Sequence, residues 1–172
     1  VFAKATEGTT FTDVTYPLNR SGASLTGLRF GAYHFAQPGG ASDAAVVASA
    51  TAQADAFLAV AQPQPGDLLP VLDLERTNGL SVPRLVMWTQ AWLGQVVARL
   101  GAKPILYASP SFWKQALGDS PVFARAGHRL WRAHWTRATL PILPGAGWGG
   151  LGWSFWQWTN CLRVPGIRGC AD

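Results

Sequence analysis

The sequence predicts one α/β domain whose parallel sheet closes into a barrel-like form. Two observations carry that reading, and a third limits it. Short apolar runs alternate with helix-length segments, the pattern of a parallel sheet joined by right-handed crossovers. The run from Asp67 to Glu75 is almost continuously apolar, with Leu68, Leu69, Val71, Leu72 and Leu74, as in a strand buried on both faces. The chain has 172 residues, enough for one domain but short of the roughly 250 of a full eight-fold barrel, so a barrel here is small or incomplete.

The elements follow from local signals. Val1 to Ala5 reads as a strand and Thr6 to Thr15 as a polar loop. Pro17 to Leu25 reads as a short helix stopped by Gly27, and Leu28 to Phe35 as a second strand. After the Gln37 to Ala41 turn, Ser42 and Asp43 cap a helix that runs to about Val60. Pro63 to Gly66 is a loop, and Asp67 to Glu75 is the third strand. Ser81 starts the next helix, with Pro83 in its first turn and Leu85, Trp88, Trp92, Val96 and Leu100 forming an apolar stripe. Ile105 to Ala108 reads as a strand, Ser111 to Leu117 as a helical turn, and Leu130 to Trp135 and Trp153 to Thr159 as further strands.

Composition narrows the function classes. Apolar residues make up 48% of the chain and charged residues 13%, which builds a packed core and excludes disorder. No uncharged apolar run reaches the roughly 18 residues of a membrane span. The net charge of +5 favours an anionic partner, but the arginines are scattered, which disfavours nucleic acid as that partner. Glutamate occurs only at Glu7 and Glu75, whereas there are nine tryptophans, six of them between Trp131 and Trp158. Such a set suits a sugar-binding cleft and equally suits a Trp-rich core.

Cys161 and Cys170 flank the Pro165-Gly166 turn signal. A disulfide closing this short loop points to an oxidising compartment; the alternative is two free buried thiols. Neither cysteine has the companions a metal site needs, and no metal or cofactor is expected.

Asp73-Leu74-Glu75 is the sharpest chemical feature. Alternation puts Asp73 and Glu75 on one strand face and Leu72 and Leu74 on the other, with the two acids roughly 6–7 Å apart at their backbones. Carboxyl-end strand tips are where α/β barrels keep catalytic groups. Two neighbouring carboxylates in apolar surroundings separate into an acid and an ionised partner, as glycosidic bond cleavage requires. The alternative is a strand end with solvated acids, or one acid paired to an arginine. Glu7 also sits at a strand end, where a Lys4–Glu7 ion pair holding the loop is an equal alternative. Tyr33 and His34 face opposite sides of their strand, and His34 reads more readily as a satisfied core residue than as a catalyst. Ala133-His134-Trp135 and Phe155-Trp156-Gln157-Trp158 suit cleft walls.

These pieces together resemble glycoside hydrolase family 25, the Chalaropsis-type lysozymes. The resemblance rests on Lys4-x-Thr6-Glu7-Gly8-x-x-Phe11-x-Asp13, Gly31-Ala32-Tyr33-His34-Phe35, Asp73-x-Glu75 after Pro70-Val71-Leu72, Ala133-His134-Trp135 and Trp156-Gln157, in family order over essentially the whole chain. It implies a TIM-like (β/α) barrel with fewer helices than strands. It also implies hydrolysis of the β-1,4 bond between N-acetylmuramic acid and N-acetylglucosamine in bacterial peptidoglycan. By that resemblance Glu75 is the general acid, and Asp73 orients or stabilises the 2-acetamido group. Glu7, Tyr33, Tyr107, Trp135 and Gln157 line the sugar subsites, and Asp172 matches the acid of the last strand.

The family's first strand, with its Asp, and the segment after the last Asp have no counterpart here, so the domain, residues 1–172, is expected to be truncated at both ends. Trp158 stands where the family often has Tyr. A secreted monomer acting on the cell wall is the resulting expectation. The competing readings are a non-catalytic wall-binding fragment and a chitinase-like glycosidase; against the latter, Val71 occupies the position of that family's additional Asp.

Overall fold

The computed structural model describes residues 1–166 and 169–171. Among them, seven strands form one sheet in the order β2-β1-β3-β4-β5-β6-β7. β1 (Phe2–Glu7), β3 (Gly31–Phe35), β4 (Val71–Asp73), β5 (Ile105–Ala108), β6 (Arg129–Ala133) and β7 (Phe155–Gln157) run parallel, and β2 (Phe11–Thr12) returns antiparallel on β1. The α/β class is as expected. The closed barrel is not what the described residues form: β2 and β7 are the two edges of an open, mixed sheet. The sheet is nonetheless curled, because the Phe2 ring on β1 lies 4.7 Å from Trp131 on β6 and 5.4 Å from Phe155 on β7.

Alternation gives the sheet two different faces. Ala5, Leu72, Leu74, Leu106, Ala108 and Leu130 point outward into a continuous core with α2 (Asp43–Ala61) and α3 (Val82–Leu100), in which Trp88, Trp92 and Phe57 are fully buried. Phe2, Tyr33, Val71, Ile105, Tyr107, Trp131 and Phe155 form a second, smaller cluster on the inner face. α2 is long and apolar enough to cross a membrane by length and composition. Its Val46, Ala50, Ala54 and Phe57 are instead buried in the outer core, and Asp55 accepts a hydrogen bond from Gln95 of α3. The remaining helices are α1 (Tyr16–Leu25), α4 (Pro110–Ala116) and α5 (Val122–Arg125).

Caps and breakers set the boundaries. The Ser42 hydroxyl accepts from the Ala45 amide at 3.2 Å and starts α2, and Gly101 in the left-handed region ends α3. The expected strand from Asp67 to Glu75 is shorter in the structure. Pro70 cannot donate to a ladder, and Asp67 is turned away to pair with Arg20 at 2.7 Å. Pairing fades after the Leu74 amide donates to the Tyr107 carbonyl. Two features carried no readable pattern, α5 and the segment Pro144–Trp148. Gly145, Ala146, Gly147 and Trp148 all have φ between 54° and 71°, a left-handed turn that two glycines make accessible.

A bulge in β1 positions the Lys4–Glu7 end of the sheet. Lys4 pairs with Tyr33, but Thr6 pairs with His34, so Ala5 is an extra residue. In a regular strand, residues three apart face opposite sides; the extra residue returns Lys4 and Glu7 to the same inner face.

Candidate active site

The carboxyl ends of β4, β5 and β6 open on a cleft of about 620 Å³. Glu75, two residues beyond β4, stands exposed on one wall. Tyr107 from the end of β5, Trp135 from the loop after β6, and Ser109, Ser111, Lys114 and His134 line the rest. Asp73 lies on β4, buried and in register with Tyr107. Because Leu72 and Leu74 are fully buried in the outer core, the intervening alternation directs Asp73 and Glu75 toward the inner side. One carboxyl is thus enclosed by the sheet and the other opens to the cleft.

Gln157 joins the walls. Its Oε1 accepts from the Tyr107 hydroxyl at 2.8 Å and from the Trp135 indole at 3.0 Å. This pair of bonds fixes the two aromatic rings relative to the end of β7. Trp135 also borders a neighbouring groove shared with Trp156, Trp158 and Arg137, so exposed aromatic surface continues past the end of the cleft.

Glu7 and Tyr33 lie on the same sheet but are not among the residues lining the 620 Å³ cleft. Glu7 forms the ion pair that the sequence offered as an alternative: Lys4 donates to its Oε2 and Gln37 Nε2 donates to its Oε1 at 2.9 Å. The Lys4 hydrogen bond holds the Glu7 carboxyl below its ordinary range against the opposing effect of burial. Asn78, on the loop after Glu75, donates to the Gln37 side chain at 2.9 Å and to the Pro38 carbonyl at 3.1 Å. Gln37 therefore ties the ends of β1 and β3 to the loop that carries Glu75. Asp172 lies outside the described residues.

His34 is a core residue, fully buried and stacked on Trp92 at 5.6 Å with an interplanar angle of 16°. Its Nδ1 accepts from Thr6 Oγ1 at 2.8 Å and its Nε2 donates to Gln53 Oε1 at 3.1 Å. Burial pushes its pKa down to about 4, so the ring is neutral at pH 7.

The nine tryptophans divide between both sequence readings. Trp88, Trp92, Trp113 and Trp148 are fully buried, while Trp135, Trp153 and Trp158 are exposed. Cys161 and Cys170 form the expected disulfide, beside the Leu162–Ala171 bridge. No group of His, Cys, Asp or Glu able to hold a metal occurs among the described residues. Sequence reasoning did not single out Ser109, Ser111 or Lys114. Their signal is position alone, since they directly follow the carboxyl end of β5.

Comparison with known proteins places this geometry. Residues 1–167 match the family described as glycosyl hydrolases family 25. The chain is 36% identical to the N,O-diacetylmuramidase of Chalaropsis sp, covering 100% of this chain and 84% of that protein. It is 35% identical to the N,O-diacetylmuramidase of Arthroderma benhamiae, over 96% of this chain and 69% of that one. It is 33% identical to lysozyme M1 of Streptomyces globisporus, of which it spans only 57% while 99% of this chain aligns. The crystal structure of the bacterial lysozyme from Streptomyces coelicolor superposes with a TM-score of 0.84 at 31% identity, over 98% of this chain and 76% of that one. The family match over residues 1–167, with relatives 35% and 36% identical along nearly the whole chain, makes this chain a glycoside hydrolase belonging to family 25.

Proposed function

We propose that this chain hydrolyses the β-1,4 bond between N-acetylmuramic acid and N-acetylglucosamine in bacterial peptidoglycan, with Glu75 as general acid and Asp73 as the group that orients the 2-acetamido substituent. Family membership supports peptidoglycan as the substrate. The observation that carries the residue assignment is the contrast between the carboxyls: Asp73 enclosed at the end of β4, Glu75 exposed in the cleft two residues later. Two carboxyls in different environments take different roles.

In this mechanism Glu75 gives its proton to the glycosidic oxygen as the bond to the anomeric carbon breaks. The acetamido oxygen, held by Asp73 through the acetamido N–H, attacks that carbon from the opposite face. Glu75, now a carboxylate, takes a proton from water as the water opens the cyclic intermediate. This path gives net retention, and the alternative in which water attacks directly gives inversion. NMR of the first-formed anomer separates them. Tyr107 and Trp135, fixed through Gln157, supply ring faces and donors for the sugars. Glu7 and Tyr33 extend this inner surface toward β1, and the family resemblance alone assigns Asp172 to sugar binding.

The finer architecture is part of the proposal: contacts of Phe2 with Trp131 and Phe155 support reading the curled sheet as the wall of a barrel. So are export and action as a monomer, the first supported by the Cys161–Cys170 disulfide. Incubation with purified peptidoglycan and mass spectrometry of new reducing ends tests the activity. Muramic acid ends are expected. Glucosamine ends would reassign the cleaved bond, and bound but uncut glycan would make the chain a wall-binding module.

A further inference from the structure

Several hydrogen-bond donors line the same cleft as Glu75, among apolar neighbours such as Pro110, Ala133 and Ile142. Lys114 on α4 lines it and carries no hydrogen bond or ion pair among the described residues. Ser109 and Ser111 lie beside it with their hydroxyls 3.1 Å apart, and Ser109 is partly committed as the acceptor for the Phe112 amide. His134 lines the same cleft. Its Nδ1 accepts from the Ile142 amide at 3.4 Å and from Arg132 Nη2 at 3.2 Å, so the ring proton sits on Nε2. Arg132 itself is fully buried, donates to the Ile142 carbonyl, and has no carboxylate partner among the described residues. Burial first, and the Arg132 charge second, hold His134 below its ordinary pKa, so it serves as a neutral donor. Of the ten residues lining the cleft, Glu75 is the only acid. The cleft therefore combines a single acid with several donors and an ammonium that has no carboxylate partner among the described residues.

Among the sugars of the wall, the one that differs from a chitin unit carries a 3-O-lactyl group, extended by a stem peptide bearing carboxylates. We propose that Lys114, Ser111 and the His134 imidazole N–H form the subsite for this carboxylate-bearing substituent, and so select muramyl glycan over plain N-acetylglucosamine polymers. The inference rests on the muramidase reading for the orientation of substrate in the cleft. A point-charge ammonium on a flexible stem suits a substituent whose length varies from a lactyl carboxylate to a full peptide.

Binding is measured by calorimetry in Glu75→Gln, with and without Lys114→Met, and with Lys114→Arg as the conservative control. The probes are soluble muramyl strands with stem peptides, the same strands stripped to lactyl carboxylates, and an N-acetylglucosamine oligomer. Lys114→Met is expected to weaken muramyl binding by about threefold to tenfold, with the loss shrinking at about 0.5 M salt. Binding of the neutral oligomer stays unchanged, and Lys114→Arg restores most of the affinity. Loss confined to the stripped strands assigns the lactyl carboxylate, loss confined to intact strands assigns the peptide carboxylates, and equal loss on both assigns a subsite that takes either. Equal affinity with and without Lys114→Met, the same loss on all three probes, or no binding of muramyl strands overturns the subsite. Cleavage of intact strands by the unsubstituted chain is assayed in parallel. Absent cleavage with Lys114-dependent binding removes the muramidase reading and leaves the subsite standing.

Discussion

The two faces of one sheet are built from the same alternating strands and do opposite work. The outer face buries small and aliphatic side chains, Ala5, Leu72, Leu106 and Leu130, under α2 and α3, and its one histidine is locked between Thr6 and Gln53. The inner face carries larger aromatic rings, Phe2, Tyr107, Trp131 and Phe155, and ends in Asp73 and Gln157 where the strands stop. Adjacent residues make the contrast plain. Tyr33 packs against the inner cluster, while His34 is buried in the outer core. Helices cover the outer face and exclude water. The inner face is covered only by the curl of the sheet, and its carboxyl end stays open. Stability is concentrated on one side and chemical groups on the other.

That division can be broken most sharply at Glu75. Replacing it with Gln removes the proposed acid with little change in shape, and is expected to lower peptidoglycan cleavage by about 10²–10⁴-fold while the thermal midpoint stays put. A comparable drop in midpoint would move Glu75 from chemistry to structure. Trp92→Ala probes the outer face and should destabilise by about 3–5 kcal/mol, read from urea unfolding. It opens a cavity beneath α2 and also removes the ring stacked on His34.

His34 sharpens the comparison through pH. Its folded pKa of about 4 lies below the unfolded value of about 6.5. The unfolded chain therefore binds the proton more readily, and the stabilisation is complete above about pH 6.5. It is lost as pH falls toward 4, on the order of 3 kcal/mol in all. His34→Gln should flatten the slope of stability against pH in that window, and an unchanged slope would mean the ring titrates normally. The smallest effect is expected at Lys4→Met. The ion pair with Glu7 is partly exposed and contributes at most about 1 kcal/mol, and its loss should let the Glu7 carboxyl titrate at higher pH, followed by NMR.

Much of this was legible in the order of residues. The helix from Ser42 and the helix with Leu85, Trp88, Trp92 and Val96 carry caps and period, and both stand within a residue or two of their expected bounds. Asp73-x-Glu75 announced its shared face because strand alternation is strict. Strand ends were less readable: β6 stops at Ala133 rather than Trp135, the His134 amide making the last bond to β7, to the Gln157 carbonyl at 3.1 Å. The β1 bulge has no signal of its own in Ala5-Thr6. The Lys4–Glu7 pair was one of two readings the sequence offered, but no local pattern showed that Gln37 would join it.

By itself the sequence determined the α/β class, the family, the core helices and the strand on which the two acids sit, because periodicity, caps and ordered motifs are local properties of the chain. Only the tertiary structure decided that the sheet stays open across the described residues, and which tryptophans become core and which become cleft wall. It alone brought Lys114 and His134 into one cleft with Glu75. Those outcomes depend on contacts between strands far apart in sequence, where curl, bulge and register set which side chains meet.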